Sequence, residues 1–496
     1  MCFAPGHSHG DDGHGHNIAE GHGLAVGTDP LLGANERLRS FALSTASREE
    51  IVAAVMTQAR YLAEQPEFLN LQVKSFPPGY AGYNRTKPGD KVMICVDSNV
   101  DLTIPTAIAS VLREKGATVD LVVVDGGPDR PIDETDEMRA LIRRSPWIGF
   151  EETFPIRRFS EVPWVTKLVK SGDYDLLIQG RAYPSEFDAF RWEGHPWNQV
   201  EQFVAEANNF PREVHELINR KAWDSVWLRG RGARVHISDP EGTDFTYTLL
   251  DEYWDESVLN WFEEAPCIGH LMYHPAPPIN AKQDATGVIK GTISHFSRPF
   301  PQLSATLENG LITNVEGGGE YGAAWRELMT ETEEIHYPDF PRPGLFWLWE
   351  IAVGTNPKVR RTSNIEMVSS GGTEWERWRS GVIHMGFGTS GPSDCEHWAG
   401  ERGYAYGHLH MHMMFPTVEI IHADGSVEVP VKNGHLAALD DPEVRECAAK
   451  YGDPDVLLKE DWIPEIPGVS MPGSYEVYAR DPKRWIPEMP SSYQPD

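Results

Sequence analysis

The chain has 496 residues, 40% of them hydrophobic and 24% charged, with a formal net charge of −30. That length allows two or three domains. The acidity argues against binding to nucleic acid and against docking on anionic membranes, since both rest on clustered Lys and Arg.

Five cysteines (Cys2, Cys95, Cys267, Cys395 and Cys447) are scattered and form no CxxC pair. They build neither a disulfide framework nor a thiolate zinc site, and they fit a reducing compartment. No apolar run approaches the roughly 18 residues of a membrane span. The start MCFAPGHSHG has neither the basic residues nor the apolar stretch of a secretion signal. The expected location is the cytoplasm.

Residues 1–40 read as a flexible, His-rich tail: His7, His9, His14, His16 and His22 stand among Gly and Asp, with nothing to offset the entropy of folding. Such a tail is either a loose metal sequestrant or simply solvated chain.

Residues 41–225 read as an α/β domain. SREEIVAAVMTQARYLAE begins with a capping box, Ser47 and Glu50, and continues with apolar residues at helical spacing. KPGDKVMICVD predicts a buried strand. IPTAIASVLREKGATVDLVVVDG predicts helix, Gly stop and strand, and SGDYDLLIQG a further strand. Alternation of this kind predicts a parallel sheet covered by helices. No GxGxxG follows the first strand and no GxxxxGK[ST] occurs, so the domain shows no phosphate cradle.

Residues 226–430 read as an α+β, sheet-rich, metal-binding catalytic domain. ARVHISDPEGTDFTYTL predicts a hairpin; GVIKGTISH, QLSATLENGLITNVEGG and GVIHMGFG predict further strands. FWLWEIAVG is expected as a helix ending at Gly354, with Pro357 beyond it. Residues 431–496, rich in Pro, Trp and acid, read as an extended C-terminal arm.

The chemistry concentrates in GHLHMHMM. On a strand His408, His410 and His412 share one face while Leu409, Met411 and Met413 take the other, so two or three imidazoles can meet one ion. His384 in GVIHMGFG is a second contributor. Glu350, a carboxylate in an apolar run, needs a cation or a buried Arg. His270, with His274 behind it, is a further ligand candidate. Arg377 and Arg379, with Arg360 and Arg361, are either clamps for a substrate carboxylate or local counter-charges. Ser390, Asp394 and His397 lie in a Gly-rich loop that could hold an acid or base. Trp347, Trp349, Phe387 and Trp398 either wall a flat substrate or pack the core.

LWEIAVGTNP, GVIHMGFG and HLHMHMM together resemble the aminopeptidase T family of metallopeptidases and the related iron-dependent 2,5-dihydroxypyridine 5,6-dioxygenases. KPGDKVMICVD and DPEGTDFTYTL add to the likeness, which spans about residues 45 to 425. Carried over by position, Glu350, His384 and His410 match family ligands, and His270 stands near an early glutamate ligand. His412 replaces an aspartate, and Arg377 and Arg379 stand near an acidic position.

A two-metal hydrolase needs bridging carboxylates. Their loss tilts the resemblance toward one ion, in site logic closest to the dioxygenases. The implied cofactor is Fe(II), with Zn, Mn or Co as alternatives, bound by His384, His410 and His412, with Glu350 as ligand or base. Ser390 and His397 stand beside Glu350 as catalytic candidates, and Arg377, Arg379 and Trp398 as substrate-binding ones. The implied function is opening of a hydroxylated aromatic or N-heteroaromatic ring. The alternatives are a metal-dependent aminopeptidase or amidase and a non-catalytic metal-storage protein. The partner is a small-molecule substrate, and the resemblance implies a homodimer.

Overall fold

The computed structural model describes residues 46–64, 83–97 (except Arg85), 101–124, 171–180, 192–195, 200–255, 270–274, 281–293, 299–359 (except Asp339), 378–389, 394–460, scattered positions between 462 and 477, Lys167, and two short strands, Phe68–Leu69 and Tyr80–Ala81. The expected tail, 1–40, lies outside the described residues, as do Arg360, Arg361, Arg377 and Ser390.

The first helix, α1 (Arg48–Glu64), starts where the capping box places it. The Ser47 amide donates to Glu50 Oε2 at 2.7 Å, and the Glu50 amide donates back to Ser47 Oγ at 3.3 Å. Ile51, Ala54, Val55, Gln58, Ala59, Leu62 and Ala63 form its buried stripe, at the spacing a one-sided helix requires.

β1 (Lys91–Asp97), α2 (Thr103–Glu114), β2 (Thr118–Val124), β3 (Leu176–Gly180) and β4 (Trp192–His195) follow. They form an all-parallel sheet in the order β2-β1-β3-β4. Gly116, at φ +91°, reverses the chain after α2, and a Cβ there would meet Pro88 at 3.0 Å. One apolar cluster joins α1 and α2 to this sheet.

After α3 (Arg212–Trp223), the chain enters antiparallel sheet. The expected hairpin is β5 (Arg234–Ser238) and β6 (Asp244–Thr248). Next come β7 (His270–His274), β8 (Thr286–Ile293), β9 (Pro299–Glu308), β10 (Leu311–Gly317), α4 (Gly319–Thr332), β11 (Leu348–Gly354), β12 (Ile383–Gly388), α5 (Asp394–Glu401), β13 (His408–Met413), β14 (Thr417–Ile421), β15 (Val427–Lys432) and β16 (His435–Leu436). Eight strands form one sheet, β10-β9-β8-β6-β5-β14-β15-β16, and four form another, β13-β12-β11-β7. Met411 of β13 reaches Gly291 of β8, where a Cβ would stand 3.3 Å from its sulfur. The smaller sheet thus packs its Met face on the larger one. A second large apolar cluster, Phe210 to Leu458, holds these layers together.

Three expectations need correction. FWLWEIAVG is not a helix: Leu348–Gly354 is strand β11, paired on both sides, with β12 and with β7. A strand buried on both faces loses its period of two and reads like a buried helix, and the β-branched Ile351 and Val353 were the better signal. The Gly-rich loop is in part helix, since Asp394–Glu401 forms α5. The segment after 430 is not an extended arm over its described part. β15, β16, α6 (Pro442–Ala448) and α7 (Pro454–Leu457) bury Val431, Leu436, Val444 and Leu457 in the large cluster. Asp441 and Asp453 cap the two helices, each followed by a Pro that starts a helix without needing its N–H.

Candidate metal centre

Register on the small sheet decides which side chains meet. His384 pairs directly with His412 and with Ala352; Gly386 pairs with His410 and with Glu350. With alternation along each strand, Glu350, His384, His410 and His412 share one face. Leu409, Met411, Met413, Ile383, Met385 and Phe387 take the other, all buried. Gly386 stands between Glu350 and His410 and adds no side chain to that face. Ala352 adds only a methyl beside His384. Neither position puts a large side chain among the polar groups.

All four polar residues are buried: Glu350 is 6% exposed, His384 0%, His410 5% and His412 1%. Glu350 Oε1 lies 2.8 Å from His384 Nε2 and 3.2 Å from His410 Nε2. The rings of His384 and His410 are 4.2 Å apart between centroids. Tyr321 of α4 steadies this edge by donating its hydroxyl to the His410 carbonyl at 3.3 Å. One donor atom from each of Glu350, His384 and His410 falls within 4.8 Å of the others. Ligand atoms about 2.1 Å from one ion and at right angles to each other lie about 3 Å apart, close to the spacings found here. Imidazole and carboxylate together also suit a borderline divalent cation. A buried Glu350/His384/His410 group able to hold a metal ion is therefore present.

His412 lies beside this group. Its Nε2 is 2.8 Å from His384 Nδ1, the nitrogen opposite the one that meets Glu350. Among the described residues the convergent set is two imidazoles and one carboxylate, with His412 behind it.

The other candidates are placed as follows. His270 on β7 pairs with Gly354 of β11, two strands from His384 and two pairs further along, or about 10 Å away sideways alone. Only its backbone is described. His274 pairs with Ile351 and lies between Tyr247 and Tyr253, its Nε2 3.3 Å from the Tyr253 hydroxyl. Arg379 is wholly buried, with its guanidinium 4.7 Å from the Trp462 ring and Nη2 donating to Met414 Sδ at 3.5 Å.

Trp398 of α5 packs on Tyr337 and Tyr404 and carries Arg402 over its ring. His397 and Asp394 lie on the same helix, with only their backbone described. Phe387 turns into the core against Trp325, because the strand's alternation points it away from His384. Trp347 is buried against Phe340. Sequence reasoning did not single out Tyr321, and its position in GEYGAAW gives no signal that it would reach a metal strand.

The fold and the site define a chain with a parallel α/β sheet, a large antiparallel sheet and a buried His/Glu group that can take a metal. Comparison with solved structures gives low-identity matches. A 2,5-dihydroxypyridine dioxygenase from Pseudomonas putida KT2440 is 14% identical at a TM-score of 0.44, over 79% of this chain and 99% of that one. AmpT from Thermus thermophilus is 12% identical at a TM-score of 0.40, over 77% of this chain and 99% of that one. No family model matches the sequence, and no curated protein does.

Proposed function

We propose that the chain is a mononuclear, non-haem Fe(II) dioxygenase that opens a hydroxylated aromatic or N-heteroaromatic ring, with Glu350, His384 and His410 as ligands. The observation that carries this reading is the convergence of His384 Nε2 and His410 Nε2 on Glu350 Oε1, all three residues buried. Two histidines and one carboxylate on one face leave positions open for substrate and O2, the arrangement of non-haem Fe(II) oxygenases. When bound, iron supplies the one-electron chemistry with O2 that no side chain offers.

The residues present do the rest. Glu350 would offset part of the ion's charge, while His384 and His410 would bind as neutral imidazoles. A net positive charge then remains for an ionised ring hydroxyl to neutralise. The packed face of Leu409, Met411 and Met413 fixes the ligand strands and keeps water from their far side.

A second reading has its own support. Two histidines and a glutamate are also the ligand set of zinc hydrolases that activate water. One experiment separates the two. Protein purified without a tag is analysed for metal, loaded with Fe(II) under anaerobic conditions, and offered hydroxypyridines and catechols in an oxygen electrode. Oxygen uptake in step with loss of substrate supports the dioxygenase. Hydrolysis of an amide or peptide by the zinc form, without oxygen uptake, replaces it with the second reading. Two tightly held ions per chain would overturn the mononuclear centre itself.

A further inference from the structure

We infer that His412 is a positioning residue and not a ligand: it accepts the Nδ1 hydrogen of His384 and so holds His384 in the tautomer whose bare Nε2 faces Glu350 and His410. This rests on the reading above that Glu350, His384 and His410 hold one ion.

A neutral imidazole carries one hydrogen on its two nitrogens. To offer Nε2 to a metal, His384 must carry that hydrogen on Nδ1. His384 is wholly buried, so a hydrogen on its Nδ1 calls for an acceptor, and acceptance by His412 Nε2 puts the His412 hydrogen on its own Nδ1. His412 Nε2 lies 2.8 Å from that Nδ1, in the pair directly across the sheet. The two rings are tilted by 55° with centroids 4.9 Å apart, so they meet at an edge and not face to face. His412 Nε2 therefore addresses the side of His384 away from Glu350. The donor atoms that converge come from Glu350, His384 and His410, without His412.

The shared strand face allowed His412 as a ligand, and the resemblance, which sets it in place of an aspartate, implied it as the third one. The direction of the nitrogen makes it the support of the ligand on the next strand. Partners that fix the tautomer of a ligating histidine in this way typically contribute about 10–100-fold in metal affinity.

The test uses the full-length chain and three variants: His412→Leu, His412→Gln and, as a ligand control, His410→Gln. The Gln Oε1 has the same reach from Cβ as His Nε2 and is also an acceptor. Zn(II) affinity is measured by competition with a chelating dye, with His384→Ala giving the background from the N-terminal histidines. Co(II) visible absorption reports the number of ligands. We expect His412→Leu to bind about 10–100-fold more weakly and His412→Gln to stay within about threefold of wild type with an unchanged Co(II) spectrum. His410→Gln should lose the tight site.

The inference is overturned if His412→Gln loses the site or changes the Co(II) spectrum, which would make His412 a ligand. It is also overturned if folded His412→Leu binds like wild type. Should His412→Leu fail to fold, long-range 1H–15N spectra of the zinc-loaded wild type decide instead. A hydrogen on His384 Nδ1 supports the inference and one on Nε2 overturns it. If wild type binds nothing above the His384→Ala background, the parent reading falls as well; if it binds one ion and the His412 variants are indifferent, only this inference falls.

Discussion

Two buried glutamates in this molecule meet histidines, and they do so differently. At Glu350 two imidazole nitrogens converge on one carboxylate oxygen, on the sheet face that also carries Gly386 and Ala352. At Glu460 the contacts are spread over the group. Ser380 Oγ and the Leu436 amide donate to Oε1 at 2.5 and 3.3 Å, and His435 Nδ1 meets Oε2 at 2.6 Å. The second nitrogen of His435 turns outward to Asp440 at 2.8 Å. Spread contacts complete an ion pair that needs nothing more, whereas converged ones point several donor atoms at a single position. Residue type is the same in both places, and geometry separates a structural pair from a group that could hold a metal ion.

The largest expected effect tests the converged side of that comparison. Glu350→Gln removes the charge and should lower affinity for a divalent ion by at least about 100-fold, with the protein still folded. Isothermal titration of the variant against wild type measures this. Unchanged affinity would mean that convergence at Glu350 is a hydrogen-bonded cluster like that at Glu460.

The next effect falls on the other glutamate. Glu460→Ala should leave metal affinity as it is and cost about 2–3 kcal/mol of stability, because it strands His435 and Ser380. Urea melts with and without zinc read both quantities. A lost metal site in this variant would show that the two regions are one cooperative unit.

These two sites were unequally legible in the sequence. HLHMHMM announced a shared face because alternation needs only a strand, and β13 is one. Glu350 stood out as a carboxylate among apolar residues, yet its element was misread because β11 is buried on both faces. Spacing also could not tell which nitrogen of His412 points where, and the positioning role proposed for it rests on the 2.8 Å contact with His384. The Glu460–His435 pair left no signal at all: the partners stand 25 positions apart, and Pro and acidic residues around them suggest extended chain. The parallel sheet was the easiest to read, since α2 and β2 carry clean periods and Gly116 marks the join.

The spread site carries a pH signature that the converged one does not need. Its hydrogen bond to Glu460, and then Asp440, raises the His435 pKa from 6.5 to about 9, against the opposing effect of burial. A histidine whose folded value is raised contributes stability that is fully present below its ordinary value and lost as pH rises through the folded one. Stability should therefore decline between about pH 6.5 and 9, by about 1–2 kcal/mol once solvent screening of this partly exposed ring is allowed for. Thermal melts across that range should show the slope in wild type and lose most of it in His435→Gln. A slope that survives the substitution would assign the titration to another group.

The smallest effect comes from a second histidine that, like His435, touches two carboxylates. His236 Nδ1 meets Glu419 Oε2 at 2.8 Å and Nε2 meets Asp244 Oδ1 at 2.9 Å, across neighbouring strands of the large sheet. The Glu419 contact, and then Asp244, raises its pKa, as at His435. The difference is solvent: Asp244 is largely exposed and Glu419 partly so. Water screens such pairs, so His236→Gln should cost no more than about 1 kcal/mol and leave bound metal unchanged. Chemical melts of the variant at low and high salt check this, because a screened pair weakens further as salt rises. A loss as large as that of Glu460→Ala would mean that burial is not what sets the scale, and that contact geometry alone ranks the three sites.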